Sequence, residues 1–182
     1  RQEIWLGTTG HGAQRFQYTK KGDAAFTKVA VDTGAIGNDD ILSFGRNHNG
    51  NMLIGTNKGV FEVSLVGEEP SQVKSALITS ALPIFAIVST PDKSVQWLGT
   101  NVGAYVNLQD LGALQWIQGT QWHKGVDNRN VWSLALDGNN IYLGLDGGMV
   151  TTSVFGYNKA AQYPSFVYGS WRIYTDDEIN GD

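Results

Sequence analysis

The chain has no cysteine, and only 16% of its residues are charged. Without cysteine there is no disulfide scaffold and no thiolate-held zinc. Soluble domains ordinarily carry about 25% charged residues. The 13 basic residues here are scattered and the net charge is −4. Phosphate binding needs a concentrated basic face, so nucleic acid is not an expected partner. Long apolar runs are missing too: the longest, Ala81–Val88, falls far short of the roughly 20 residues that span a bilayer as a helix. Membrane insertion is therefore not expected. Arg1–Gly10 carries neither an initiator methionine nor a signal-peptide pattern, so the start reads as processed or trimmed. The three histidines, His11, His48 and His123, share no ligand spacing, and Asp137-Gly138-Asn139-Asn140 lacks the acidic spacing and closing glutamate of a calcium loop. No metal and no cofactor is expected.

What the chain has in excess is glycine and aromatic residues. Glycine supplies 23 of 182 residues, and aromatics 11%, including six tryptophans. High glycine, low charge and many aromatics suit a turn-dense β protein. They oppose disorder, which goes with few aromatics and high charge.

An internal repeat organises these residues. Ile4-Trp5-Leu6-Gly7-Thr8, Met52-Leu53-Ile54-Gly55-Thr56, Gln96-Trp97-Leu98-Gly99-Thr100 and Ile141-Tyr142-Leu143-Gly144-Leu145 align. Their glycines recur at intervals of 48, 44 and 45 residues, and a second set, Gly12, Gly59, Gly103 and Gly148, follows in phase. A period near 45 holding several short strands is the signature of propeller blades, each a four-stranded sheet.

The pattern predicts four strand types. Strand A covers Ile41–Phe44, Ile84–Val88 and Val131–Leu136. Strand B is the aromatic-Leu-Gly-Thr segment. Strand C covers Ala13–Tyr18, Val60–Val66, Ala104–Leu108 and Met149–Val154, and strand D Ala25–Val31, Val73–Thr79, Leu114–Ile117 and Ser170–Tyr174. The B–C loops Asn57-Lys58-Gly59, Asn101-Val102-Gly103 and Asp146-Gly147-Gly148 open on Asn or Asp and end in Gly, which predicts a three-residue hairpin with a bulge. Glycine inside strand B weakens a strand, so its recurrence predicts a close approach by the neighbouring blade. Trp5, Leu53, Trp97 and Tyr142 share its face and are expected to fill the space between blades.

The fold expected is all-β: a β-propeller with four blade-like repeats near 1–36, 37–80, 81–125 and 126–182, forming a small ring or an arc of a larger one. The first unit has no strand A, and the last residues follow a strand D, so both ends meet at the same missing element.

Asn38-Asp39-Asp40-Ile41-Leu42-Ser43-Phe44 followed by Asn49-Gly50-Asn51-Met52-Leu53-Ile54-Gly55-Thr56, with Gly59-Val60, resembles the two-component regulator propeller repeat. Asn128–Leu134 with Asp137-Gly138-Asn139 and Tyr142-Leu143-Gly144 resembles a second copy, and Trp97-Leu98-Gly99-Thr100 with Gly103 a third. Trp171-Arg172-Ile173-Tyr174-Thr175 is similar to the outer strand between such copies. Leu53 and Tyr142 stand where the pattern has Trp, and Leu145 where it has Thr. The resemblance implies sensor-type propellers of bacterial membrane regulators, periplasmic, cell-surface or secreted, which bind carbohydrate or act as ligand-responsive scaffolds. Thr90-Pro91-Asp92-Lys93-Ser94-Val95-Gln96-Trp97 resembles an Asp box with Ser in place of Gly, a structural hairpin.

In such a blade the D–A and B–C loops share one face. There the sequence places Asp39, Asp40, Leu82-Pro83 and Trp122 to Asn130, with His11, Asn57-Lys58, Asn101 and Asp146. Flat aromatic faces with amides and carboxylates suit sugar hydroxyls. Trp122, His123 and Arg129, with Asp39, Asp40 and Asn101, are the candidate ligand contacts. The competing reading is that Asp39, Asp40, Asn128 and Asn130 make turn bonds to the backbone before strand A. No nucleophile elbow, P-loop or H-E-x-x-H motif is present. The expectation is a non-catalytic binding or interaction module recognising a glycan or a protein surface, completed by further blades or another copy. The alternative is a carbohydrate-active propeller enzyme using two loop-face carboxylates.

Overall fold

A computed structural model of the chain describes residues 2–19, 25–29, 36, 39–47, 49–65, 73–77, 82–91, 95–108, 117–118, 129–138, 140–153, 157–158, 163–164 and 172–175. These residues form strands and turns, with no helix among them. The strands are β1 Gln2–Gly7, β2 Ala13–Thr19, β3 Ala25–Val29, β4 Ile41–Arg46, β5 Met52–Thr56, β6 Gly59–Leu65, β7 Val73–Leu77, β8 Ile84–Ser89, β9 Val95–Thr100, β10 Gly103–Leu108, β11 Ile117–Gln118, β12 Val131–Asp137, β13 Asn140–Leu145, β14 Gly148–Ser153, β15 Tyr157–Asn158, β16 Tyr163–Pro164 and β17 Arg172–Thr175.

They assemble into sheets β1-β2-β3, β4-β5-β6-β7, β8-β9-β10-β11 and β12-β13-β14-β17, all antiparallel meanders. Each sheet is one blade, and the four are successive blades of a β-propeller. The first blade has three strands, beginning at strand B as the sequence pattern predicts. One element was not anticipated: β15 and β16 pair as a small separate hairpin between strands C and D of the fourth blade. A two-residue ladder is too short to leave an alternating pattern in the sequence.

The core is divided among the seams between blades rather than gathered in one place. Ala13 and Trp5 of the first blade meet Ile54, Phe61 and Val63 of the second. Val60 of the second meets Ile84 and Leu98 of the third. Trp97, Ala104 and Val106 of the third meet Val131, Ile141, Leu143 and Val150 of the fourth. Alternation along each strand B explains this. Leu53, Gly55, Trp97 and Gly99 point forward to the next blade; Ile54, Leu98 and Leu143 point back to the previous one.

The strand-B glycines sit where the next strand A begins. A Cβ on Gly7 would lie 2.6 Å from Ile41 Cγ2, and one on Gly55 would lie 2.8 Å from the Ile84 carbonyl oxygen. A Cβ on Gly99 would run into the Val131 carbonyl and lie 3.0 Å from Val131 Cγ1. Hydrogen bonds stitch the same seams. Ser43 Oγ donates to the Ile84 carbonyl at 2.8 Å, and the Ile41 amide donates to the Thr8 carbonyl at 3.0 Å.

The B–C hairpins of the last three blades differ from the three-residue form expected. The loops are two residues long, and Gly59, Gly103 and Gly148 belong to strand C, paired with Thr56, Thr100 and Leu145. Their φ angles, 131°, 105° and 150°, still require glycine. Where the motif threonine is present it braces the turn. Thr56 Oγ1 donates to the Gly59 carbonyl at 3.0 Å and accepts from the Lys58 amide at 3.0 Å. Thr100 repeats both bonds, to Gly103 at 2.7 Å and from Val102 at 3.1 Å. In the fourth blade Leu145 has no hydroxyl to offer, and the turn instead carries a second glycine, Gly147, at φ 75°. The Asp-box-like segment forms a hairpin closed by Thr90, whose amide donates to the Val95 carbonyl at 2.9 Å.

Candidate functional site

Strand A is the inner edge of every four-stranded blade, and successive A strands pack against one another. Each breaks register at its second residue: between Ile41 and Ser43, between Ile84 and Ala86, and between Val131 and Ser133. A bulge leaves one residue unpaired and re-aims its side chain. The three bulged residues, Leu42, Phe85 and Trp132, are all large and apolar. They stand at the end of strand A where the D–A and B–C loops converge. Leu42 is 40% exposed and Trp132 50%. The Phe85 and Trp132 rings lie 4.4 Å apart, tilted by 35°. The result is an apolar rim on the loop face, half open to solvent.

Polar groups border Trp132. Its indole Nε1 donates to Asp146 Oδ1 at 2.5 Å, and Asn130 Nδ2 donates to Asp146 Oδ2 at 2.7 Å. These two bonds hold the Asp146 carboxyl below the usual aspartate range, and the charge of Arg129 adds to the effect. Arg129 and Asn101 are exposed on the same side. An indole, a fixed carboxylate and the Asn130 amide thus meet here, with the charge of Arg129 acting on the carboxylate. That combination can stack a flat or ring-shaped ligand and accept or donate hydrogen bonds around its edge.

Asp39 and Asp40 stand at the corresponding point of the second blade, but their carboxylates are engaged. Asp39 is buried and ion-paired with Lys58. Asp40 Oδ1 accepts from the Gly10 amide at 2.7 Å, tying the B–C loop of the first blade to the second, and Oδ2 accepts from Asn57 Nδ2 at 3.4 Å. Asp40 thus bonds across the seam to the first blade as well as to Asn57 of its own, whereas Asp39 bonds within the second blade. Trp122 and His123 lie outside the described residues.

Phe85 and Trp132 were not among the residues read from sequence as contacts. In a regular strand, parity assigns side chains to one face or the other, and a bulge breaks that parity. Its trace in the sequence is a large residue followed by Ser or Ala, in Leu42-Ser43, Phe85-Ala86 and Trp132-Ser133.

A second concavity lies at the opposite end of the seam between the first and second blades. It encloses about 120 Å³ among Glu3, Trp5, Arg46, Asn51 and Met52. Its charges are largely spent internally. Arg15, buried, pairs with Glu3 and lies 5.8 Å over the Trp5 ring. That hydrogen bond lowers the Glu3 pKa against the opposing effect of burial. Among the described residues no group of three His, Asp or Glu side chains could hold a metal ion.

No protein-family profile matches the chain, and no curated protein does. Solved structures do. An extracellular domain assigned to the hybrid two component system BT4673 of B. thetaiotaomicron matches with a TM-score of 0.66 and 22% identity over 98% of this chain. The extracellular domain assigned to the system BT3049 of the same organism matches at 0.58 and 17% over 97%. The Cps50 beta-propeller domain of Myceliophteria thermophila matches at 0.55 and 11% over 90% of this chain and 52% of its own. The β-propeller fold is shared by all of these. The chain spans about a fifth of the two extracellular domains, 22% in each case.

Proposed function

We propose that the chain is a non-catalytic propeller binding module of the two-component regulator type. It acts outside the cytoplasm, and its loop face takes up a carbohydrate ring or a flat feature of a protein surface. The carrying observation is the half-exposed Trp132 packed on Phe85 and hydrogen-bonded to the Asp146 carboxylate. Fixing the indole in this way lowers the entropy lost when a ligand stacks on it. The repeat motifs and the likeness to extracellular domains of two component systems support the sensor setting. Trp122 and His123 complete the proposed contact set with Arg129, Asp39, Asp40 and Asn101.

The enzyme alternative needs a carboxyl with its pKa raised, to serve as general acid. Among the described residues the two carboxyls with displaced pKa, Glu3 and Asp146, are both displaced downward. A glycan array probed with the wild-type chain and with Trp132→Ala tests the reading. Binding to a glycan class that Trp132→Ala abolishes supports a stacked sugar. Glycan binding that Trp132→Ala leaves intact moves the site away from this rim.

A further inference from the structure

We propose that the concavity at the A–B end of the seam between the first and second blades is a second binding site, which takes a small aliphatic monocarboxylate on Arg46. The repeat shows what this end of a seam needs for packing alone. In the third seam Val95, Trp97 and Val106 of one blade meet Leu136 and Ile141 of the next, and the end is apolar. The first seam sets Glu3, Trp5 and Arg15 against Arg46 and Met52 at the same repeat positions. Three charged residues thus stand where three aliphatic ones pack the equivalent seam, and a cavity of about 120 Å³ opens among them.

Two of the charges answer each other. Arg15, buried, donates from Nε to Glu3 Oε2 at 3.1 Å and from Nη2 to Oε1. Arg46 is left over. Gly45 before it lies against the third blade, where a Cβ would sit 2.9 Å from Ile87 Cβ, so alternation turns the Arg46 side chain back toward the first blade. Its charge acts on the Glu3 carboxyl, yet among the described residues no carboxylate stands within ion-pair distance of it. With Glu3 and Arg15 offset, the lining carries one uncompensated positive charge.

The Arg46 guanidinium is also held in place. Its Nη1 donates to the Gly50 carbonyl at 3.0 Å, which leaves most of its N–H donors for a ligand. Asn47, buried, braces that loop: its side-chain oxygen accepts from the Asn51 amide at 2.9 Å, and its Nδ2 donates to Glu62 at 2.7 Å. A guanidinium grips a carboxylate by two parallel bonds, and a fixed loop lowers the ordering cost of binding. Trp5, Met52 and Val63 supply an apolar wall for a short chain. The Glu3 carboxylate repels a second acid group, and the volume is well below the roughly 300–1,000 Å³ of sites that enclose drug-sized molecules. A monocarboxylate of a few carbons is what these limits leave.

Titration of the chain with sodium butyrate at constant ionic strength, followed by the Trp5 indole N–H signal in two-dimensional NMR, tests the site. Butyrate shifts that signal saturably; butyramide, of similar shape without the charge, does not. Arg46→Gln weakens butyrate binding at least about tenfold, the scale of a charge-assisted pair, and leaves Tm unchanged. Arg46→Lys, which keeps the charge but not the fork, falls between. No saturable shift with butyrate, equal binding of butyramide, or full binding by Arg46→Gln overturns the proposal. If Arg46→Gln lowers Tm, Arg46→Leu takes its place, since the third seam packs Leu136 at that position, and it too must lose butyrate. Trp132→Ala, at the opposite face, leaves the butyrate response intact. A response lost in that variant would put the acid on the rim and overturn this site.

Discussion

Trp97→Ala and Tyr142→Ala test the seam architecture as a pair, because the two residues occupy one repeat position and differ in what covers them. Trp97 is fully buried, packed between the third and fourth blades. A tryptophan of this kind buries about 200 Å², which at about 25 cal/mol per Å² is worth roughly 5 kcal/mol. Alanine retains part of that, and large aromatic deletions in cores cost about 3–5 kcal/mol. The expected loss is about 4 kcal/mol, or roughly 8–16 °C in Tm for a chain of this size. Tyr142, half-buried on the forward face of the fourth blade, should cost about 1 kcal/mol on truncation, the ordinary scale of single substitutions. Urea unfolding followed by far-ultraviolet circular dichroism measures both. Equal costs for the two variants, or a Trp97→Ala loss below about 1.5 kcal/mol, would refute the claim that each seam is sealed by this position.

Four further outcomes are expected. Glu3→Ala leaves the buried Arg15 guanidinium without its carboxylate and costs about 3 kcal/mol by urea unfolding, the low end for a broken buried pair because Glu3 is partly exposed. The Glu3 pKa lies below its ordinary 4.5 in the folded chain, so the pair's contribution is fully present above that pH and is lost as pH falls through the lowered value; an acid titration of stability should flatten in Glu3→Ala. Trp132→Phe removes the indole donor, so the Asp146 pKa should rise toward the ordinary aspartate value, read by carboxyl NMR titration. Arg129→Ala, at an exposed position, should weaken ligand binding while leaving Tm within about 1 °C, as surface substitutions do; unfolding of this variant would place Arg129 in the structure rather than the site.

Most of the architecture is legible in the sequence because its determinants are periodic. Glycine inside strand B is readable as a close approach, since nothing local justifies it, and Gly55 and Gly99 meet the next blade's backbone as that reasoning requires. The loop chemistry is less legible. Two-residue hairpins and three-residue hairpins with a bulge share the same Asn/Asp-to-Gly signature. Thr56 and Thr100 brace their two-residue turns with a hydroxyl bond, yet Leu145 flanks a turn of the same length without one, so the loop length is not readable from a single residue. The rim on strand A is least legible of all. A strand pattern is read by parity, and Trp132 shares the parity of the back-facing set until the bulge removes it from that set. Asp40 illustrates the opposite difficulty: a carboxylate on a loop face reads equally as a ligand contact or a turn anchor, and only the Gly10 amide at 2.7 Å shows it holding two blades together.

Stability and the proposed recognition thus fall largely on separate residues of the same strands. The seams depend on strand-B residues of alternating parity and on the first residue of strand A, where a change of one methyl group meets backbone. The rim depends on the residue immediately after it, which the bulge lifts out of the ladder; of the three, Phe85 and Trp132 touch each other between the third and fourth blades. Leu42, Phe85 and Trp132 differ greatly in size, yet the seams around them are built alike. A side chain aimed at solvent from an unpaired position can change without disturbing a packed interface. The proposed recognition is therefore free to vary at position two of each strand A, while Ile41, Ile84 and Val131 beside them are held against the strand-B glycine of the preceding blade.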